Sequence, residues 1–201
     1  MPVTLAAADA ARPVHLVTRA GLAGLALDDA ARGWVAANGF SGEEGKLLLL
    51  PGAGGEIAGA LFGVAEERGG FSPLGLGTLA RQLPEGAWRF SEMPAEPELA
   101  LLGLVLGGYA FSRYRKREDR DIAFAVPEGV HSEAVRRRAE AIFLVRDLVN
   151  TPAGDMGPEA LERAARDLAA AHGAQVAVIA GDERLARNFR MIHAVGRSAA
   201  G

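Results

Sequence analysis

The chain contains no cysteine. Disulfide staples, thiolate nucleophiles and zinc–sulfur centres are therefore excluded, and the absence fits a reducing compartment. Long apolar runs are missing too. Those present, such as Leu47–Leu50, fall far short of the roughly 20 residues that a membrane-spanning helix needs. Met1–Asp9 has neither a basic n-region nor a sustained apolar stretch, so no secretory signal is expected and the chain reads as soluble and cytoplasmic. Strong charge of either sign is lacking: 22 Lys and Arg against 25 Asp and Glu leave a net charge of −3. That balance argues against nucleic acid as a main partner.

What is present is material for a sizeable core: 49% hydrophobic residues and 23% charged ones over 201 residues. The length allows one large domain, or one domain plus part of a second. Pro13–Thr18 reads as the first strand. Ala26–Asn38 reads as a helix stopped by Gly39. Lys46–Leu50 and Ile57–Val64 flank the turn cluster Pro51–Gly55 and read as a hairpin. Leu74–Leu83 is expected to be a short helix and Ala87–Phe90 a strand. Leu99, Leu102, Leu106 and Tyr109 keep helical spacing within a long helix over Glu96–Tyr114. Its glycines 103, 107 and 108 cost up to about 1 kcal/mol each in helix propensity, which suits close packing. Asp121–Val126 is expected to be a strand ended by Pro127.

The strongest periodicity lies in Glu133–Val149, where Val135, Ala139, Ile142, Val145 and Val149 share one stripe. Pro152 disfavours helix at Thr151, and Pro158 suits the first position of a new helix with Gly173 as its stop. Gln175–Ala180 reads as a strand, Asp182–Asn188 as a short helix and Met191–Gly196 as the beginning of another strand. Strands alternating with helices argue α/β. The expected layout is an N-terminal mixed-sheet α/β domain over 1–130, a connector helix over 131–150, and the start of a further βα domain over 151–201.

Local chemistry alone identifies no enzyme. The histidines His15, His131, His172 and His193 are scattered, with no H-E-x-x-H, and His193 reads as a hydrogen-bonded, partly buried side chain. The carboxylates of Glu118, Asp119 and Asp121 are interleaved with cations from Arg115 to Arg120 and read as an ion-paired loop. Arg113–Arg117 reads as the cationic end of a helix. Gly52–Gly55 lacks the G-K-[ST] and the following helix that a phosphate loop requires. No G-x-S-x-G surrounds a serine, and Ser198 lies close to Gly201.

One segment goes further. Val145-Arg146-Asp147-Leu148-Val149-Asn150-Thr151-Pro152, followed by Asp155-Met156-Gly157-Pro158, resembles the opening of the catalytic domain of leucyl (cytosol) aminopeptidases. The resemblance continues through Leu161–Ala170, Val176–Gly181 and Asn188–Arg197, with Arg190 where the family has proline. Gly39-Phe40, the strand ending at Pro51 and the Leu99–Tyr114 helix are similar, more loosely, to that family's N-terminal domain. The resemblance implies a metalloaminopeptidase that removes N-terminal residues, often leucine, from peptides. It implies two divalent metals, manganese or zinc, that activate a water or hydroxide, and a cytoplasmic hexamer with neither nucleic acid nor membrane as partner. The family's V-G-K-G…D-x-G-G stretch and N-T-D-A-E-G-R loop belong downstream of Gly201. No catalytic, metal or cofactor-binding residue is therefore assigned here, and the chain alone is expected to be inactive. The competing reading is a non-catalytic assembly or binding domain related to the same N-terminal domain. Asn150, Thr151 and Pro152 are expected to act structurally, ending the connector helix.

Overall fold

A computed structural model describes residues 3–6, 10–65, 72–115 and 120–197. The chain divides into two compact units, Met1–Phe143 and Leu144–Gly201.

The first unit is built on a six-stranded mixed sheet in the order β1-β6-β5-β2-β4-β3. The strands are β1 (Val3–Ala6), β2 (Arg12–Val17), β3 (Leu47–Pro51), β4 (Ile57–Gly63), β5 (Gly86–Phe90) and β6 (Ile122–Ala125). All neighbours pair in parallel except β3, which runs antiparallel to β4. Sequence reasoning overlooked β1, a four-residue strand whose partner β6 lies far along the chain. Pro51 is the last residue of edge strand β3, beside a register shift, where a missing N–H costs no ladder bond.

Alternation along the strands sends side chains to two cores. Val14, Phe62, Trp88, Phe90, Ile122 and Phe124 face the larger one. It is closed by α2 (Gly77–Gln82), α3 (Pro97–Gly107) and the first half of α4 (Ser132–Asn150), through Leu79, Leu101, Leu104, Val135 and Ala139. On the opposite face Val17, Leu50 and Leu61 pack with Val35 of α1 (Asp29–Ala37) and with Leu22 and Leu25 around a 3-10 turn at Gly21–Gly24. Leu48 and Leu50 meet the second core and Leu47 and Leu49 the first. The uninterrupted leucine run is thus a strand with apolar neighbours on both faces.

Helix ends follow local chemistry. The Asp28 carboxylate accepts from the Ala31 amide at 2.7 Å, so α1 begins at Asp29, three residues later than expected. Helix α3 is shorter than its apolar spacing suggests and stops at Gly107. Residues 100–105 are all buried, as in a helix that is apolar all round. Beyond them, glycines 107 and 108 supply no side chain to hold another turn. The glycines do serve close packing. A Cβ on Gly103 would stand 2.5 Å from the Pro73 carbonyl oxygen, and one on Gly107 would overlap the backbone of Gly77.

The second unit contains the end of α4, then α5 (Pro158–Ala171), α6 (Glu183–Ala186) and α7 (Arg190–Gly196). Thr151 ends α4 through both its amide and its hydroxyl, which donate to the Asp147 carbonyl at 3.1 and 2.7 Å. Pro158 is the first residue of α5, and Gly173, at φ +64°, follows its C-cap His172. Two expectations are corrected. Gln175–Ala180 is no strand, because it has no ladder partner among the described residues. Met191–Gly196 belongs to helix α7, launched by Asn188 at φ +64° and by the Phe189 amide donating to the Arg184 carbonyl at 2.7 Å.

Candidate functional site

The most site-like feature of the first unit lies beside the carboxyl end of β5. Strand order reverses between β2 and β5: the chain runs from β2 through β3 to β4 on one side, then returns to β5 on the other. Open α/β sheets bind ligands at such a switch point. Here it holds a shallow cleft of about 160 Å³ lined by His15, Leu16, Leu25 and the loop Ser91–Ala95. The Ser91 amide donates to the Val14 carbonyl at 3.0 Å and pins that loop to β2. Burial pushes the His15 imidazole below its ordinary pKa; the nearby Glu92 carboxylate acts in the opposite sense and Arg89 reinforces the shift. The group is thus disposed to be neutral at pH 7. An imidazole, a carboxylate and a hydroxyl could hold a small polar ligand, but no hydrogen bond joins Ser91 to His15 as nucleophile and base. Sequence reading weighed His15 only as a metal ligand. The available signal was a polar Ser-Glu pair immediately after a parallel strand.

The other singled-out residues are not brought together. His131 immediately precedes α4, and its carbonyl accepts from Ala134 and Val135. His172 caps α5. His193 is mostly covered and meets the Asp182 carboxylate at 3.3 Å, bridging α6 and α7. Among the described residues no three His, Asp or Glu side chains are grouped to hold a metal ion. The donors described thus do not fit the two-metal centre that the family resemblance implies.

The loop Gly52–Gly55 is a hairpin turn: the Gly52 amide donates to the Glu56 carbonyl at 2.7 Å, and β4 follows directly. In the acidic stretch, Glu118 and Asp119 lie outside the described residues, as do Lys116, Arg117 and Ser198. Arg120 donates to the Arg81 carbonyl at 2.8 Å and to the Leu83 carbonyl, and the Asp121 carbonyl accepts from the Gly86 amide at 2.9 Å. These two residues tie β6 to β5 and α2. Arg113 does not sit at the end of a helix as expected, because α3 stops at Gly107; its guanidinium lies 5.6 Å from the Tyr114 ring centre.

The site geometry carries no chemistry by itself, whereas comparison with known proteins is decisive. Residues 13–127 match the M17 aminopeptidase N-terminal domain. The chain belongs to the M17 aminopeptidase family. Residues 143–201 match the catalytic domain of the cytosol aminopeptidase family. A probable cytosol aminopeptidase of Leifsonia xyli is 36% identical over 154 residues, covering 67% of this chain and 31% of that protein. The cytosol aminopeptidase of Coxiella burnetii superposes with a TM-score of 0.80 at 29% identity, covering 91% of this chain and 40% of that one. The bottromycin maturation enzyme BotP, in complex with Mn, shares the fold at 23% identity and TM-score 0.74, covering 95% and 43%. The M17 chain described here thus matches 31–43% of the length of these relatives. No described helix is long and apolar enough to cross a membrane.

Proposed function

We propose that this chain is the N-terminal portion of a metal-dependent leucyl aminopeptidase that removes N-terminal residues from peptides. The observation that carries the reading is the match of residues 143–201 to the catalytic domain, directly after a match to the N-terminal domain. Residues 1–130 form the N-terminal domain, 131–150 the connector, and 151–201 the first part of the catalytic domain. Two divalent metals, manganese or zinc, serve the complete enzyme, as the family resemblance implies. Their ligands come from polypeptide outside this chain, so the chain alone is inactive. The complete enzyme is a cytoplasmic homo-oligomer, a hexamer as in the family that the sequence resembles.

The test is hydrolysis of a leucyl chromogenic amide by the mass-verified 201-residue chain, with Mn²⁺ or Zn²⁺ and a chelator control. No turnover is expected. Chelator-sensitive turnover would overturn the assignment of the metal ligands to other polypeptide. A chimera in which this chain replaces the matched part of the Coxiella burnetii enzyme is expected to hydrolyse the amide in a metal-dependent way.

A further inference from the structure

The cleft at the switch point combines three kinds of surface within one small volume. The first is a set of hydrogen-bond acceptors. Among the described residues, none hydrogen-bonds to the His15 ring, the Ser91 hydroxyl or the Glu92 carboxylate, all of which line it. Burial keeps the imidazole disposed to be neutral, so the ring offers one acceptor nitrogen beside the carboxylate. The loop that carries Glu92 is held in place, because the Ser91 amide is pinned to β2 and Pro94 is buried.

The second is a pair of opposite charges. Arg89 lies across from Pro13, so it stands on the same face of the sheet as His15. Glu92 and Arg89 both act electrostatically on the His15 ring, in opposite senses. A negative and a positive side chain thus stand near the same imidazole. The third is apolar: Leu25 and Met93 also line the cleft, and Met93 is 55% exposed.

These features restrict the ligand. At about 160 Å³ the cleft is well below the roughly 300–1,000 Å³ of sites for nucleotides and drug-sized molecules. A metal ion would find only His15 and Glu92, and no group of three ligating side chains occurs among the described residues. A simple anion would meet the Glu92 carboxylate. A small zwitterion with an apolar body meets none of these obstacles.

We propose that the cleft binds a free amino acid with an aliphatic side chain, its ammonium on Glu92 and His15, its carboxylate toward Arg89 and its side chain on Leu25 and Met93. The site lies in the first unit, so binding by this chain does not depend on the catalytic reading above.

Nuclear magnetic resonance titration of the isotope-labelled 201-residue chain at pH 7 tests this, with L-leucine as the probe. Leucinamide, which lacks the carboxylate, and isocaproate, which lacks the ammonium, complete the series. L-leucine should shift the amides of His15, Ser91, Glu92 and Met93 saturably, with a Kd on the order of 1 mM for so small a ligand. Isocaproate should leave them in place. Glu92→Gln should weaken leucine and leucinamide alike by about tenfold, the loss expected for one charge-assisted hydrogen bond. Arg89→Gln should weaken leucine and leave leucinamide unchanged. Glu92 and Arg89 are both exposed, and unchanged β2 and β5 amide signals verify that the variants fold. Should either variant misfold, the ligand series on the unaltered chain decides alone. No saturable shift at about 20 mM L-leucine, some twentyfold above that Kd, would overturn the proposal. So would equal shifts with isocaproate, or full leucine affinity in folded Glu92→Gln.

Discussion

Three glycine-to-alanine substitutions separate helix propensity from packing by the sign of their effect. Gly33 lies inside α1, and a Cβ there would meet nothing within 4 Å. Gly33→Ala should therefore show the propensity gain alone, about 0.5–1 kcal/mol of added stability. Gly103 lies inside α3, where the same gain is opposed by contacts of 2.5 Å with the Pro73 carbonyl oxygen and 2.8 Å with Leu74 Cα. Both obstacles are backbone, so no rotamer change relieves them; the turn must move away from the helix. Overpacking of this kind costs about 1–3 kcal/mol, more where backbone must shift. Gly103→Ala should then destabilise by about 1–2 kcal/mol. Gly107→Ala, which overlaps the Gly77 backbone, should destabilise by about 2–3 kcal/mol. At roughly 2–4 °C per kcal/mol for a unit of this size, Gly107→Ala lowers Tm by about 4–12 °C. Urea titration of the 201-residue chain by far-ultraviolet circular dichroism gives the ΔΔG, with an unchanged m value as the check that the unfolded state is the same. Should all three variants be stabilised alike, the helix glycines are not packing devices and the argument fails.

Other residues make separate predictions. Trp88 is fully buried, donates its indole N–H to the Pro84 carbonyl at 2.9 Å and carries the Arg12 guanidinium 4.0 Å from its ring centre, so Trp88→Ala should cost about 3–5 kcal/mol; a loss under 1 kcal/mol in urea titration would contradict this packing. Asp28→Ala removes the α1 cap and should cost about 1 kcal/mol, whereas Asp28→Ser should restore most of it in the same assay. The His15 imidazole is held below its ordinary value of about 6.5, so the folded chain binds fewer protons than the unfolded chain below that pH. Its contribution is complete above pH 6.5 and is lost as pH falls through 6.5 toward the lowered folded value. His15→Gln should flatten that limb of the stability profile between pH 7 and 5, and an unchanged limb would assign the pH dependence elsewhere.

Most of the first unit was legible because its signals are local. Asp28 caps α1, Pro51–Gly55 makes the hairpin, and Leu47–Leu50 and Trp88–Phe90 carry strand composition within short windows. What escaped depended on distant partners. The short strand β1 gains its identity only by pairing with β6. The end of α3 is set by where Gly107 meets Gly77, while the apolar spacing runs on to Tyr109. The second unit showed the opposite failure. Val176–Ile179 has strand composition, yet composition cannot supply a ladder partner, and Met191–Val195 reads equally well as a strand or as one helical face until Asn188 and Phe189 set its start. The cleft at His15 required knowing that β2 and β5 are neighbours, which no local window contains.

The pairing of β1 with β6 has a consequence for biosynthesis. Val3 is opposite Ile122, 119 residues later in the chain. At about 5–20 residues per second, the first strand waits roughly 6–24 s after its synthesis for a partner. During that interval the segment is an unpaired strand of the nascent chain, open to chaperones and to neighbouring nascent chains. A chain beginning downstream of Ala6 would leave the β6 edge uncapped, so its first defect should be aggregation during expression rather than a low melting temperature.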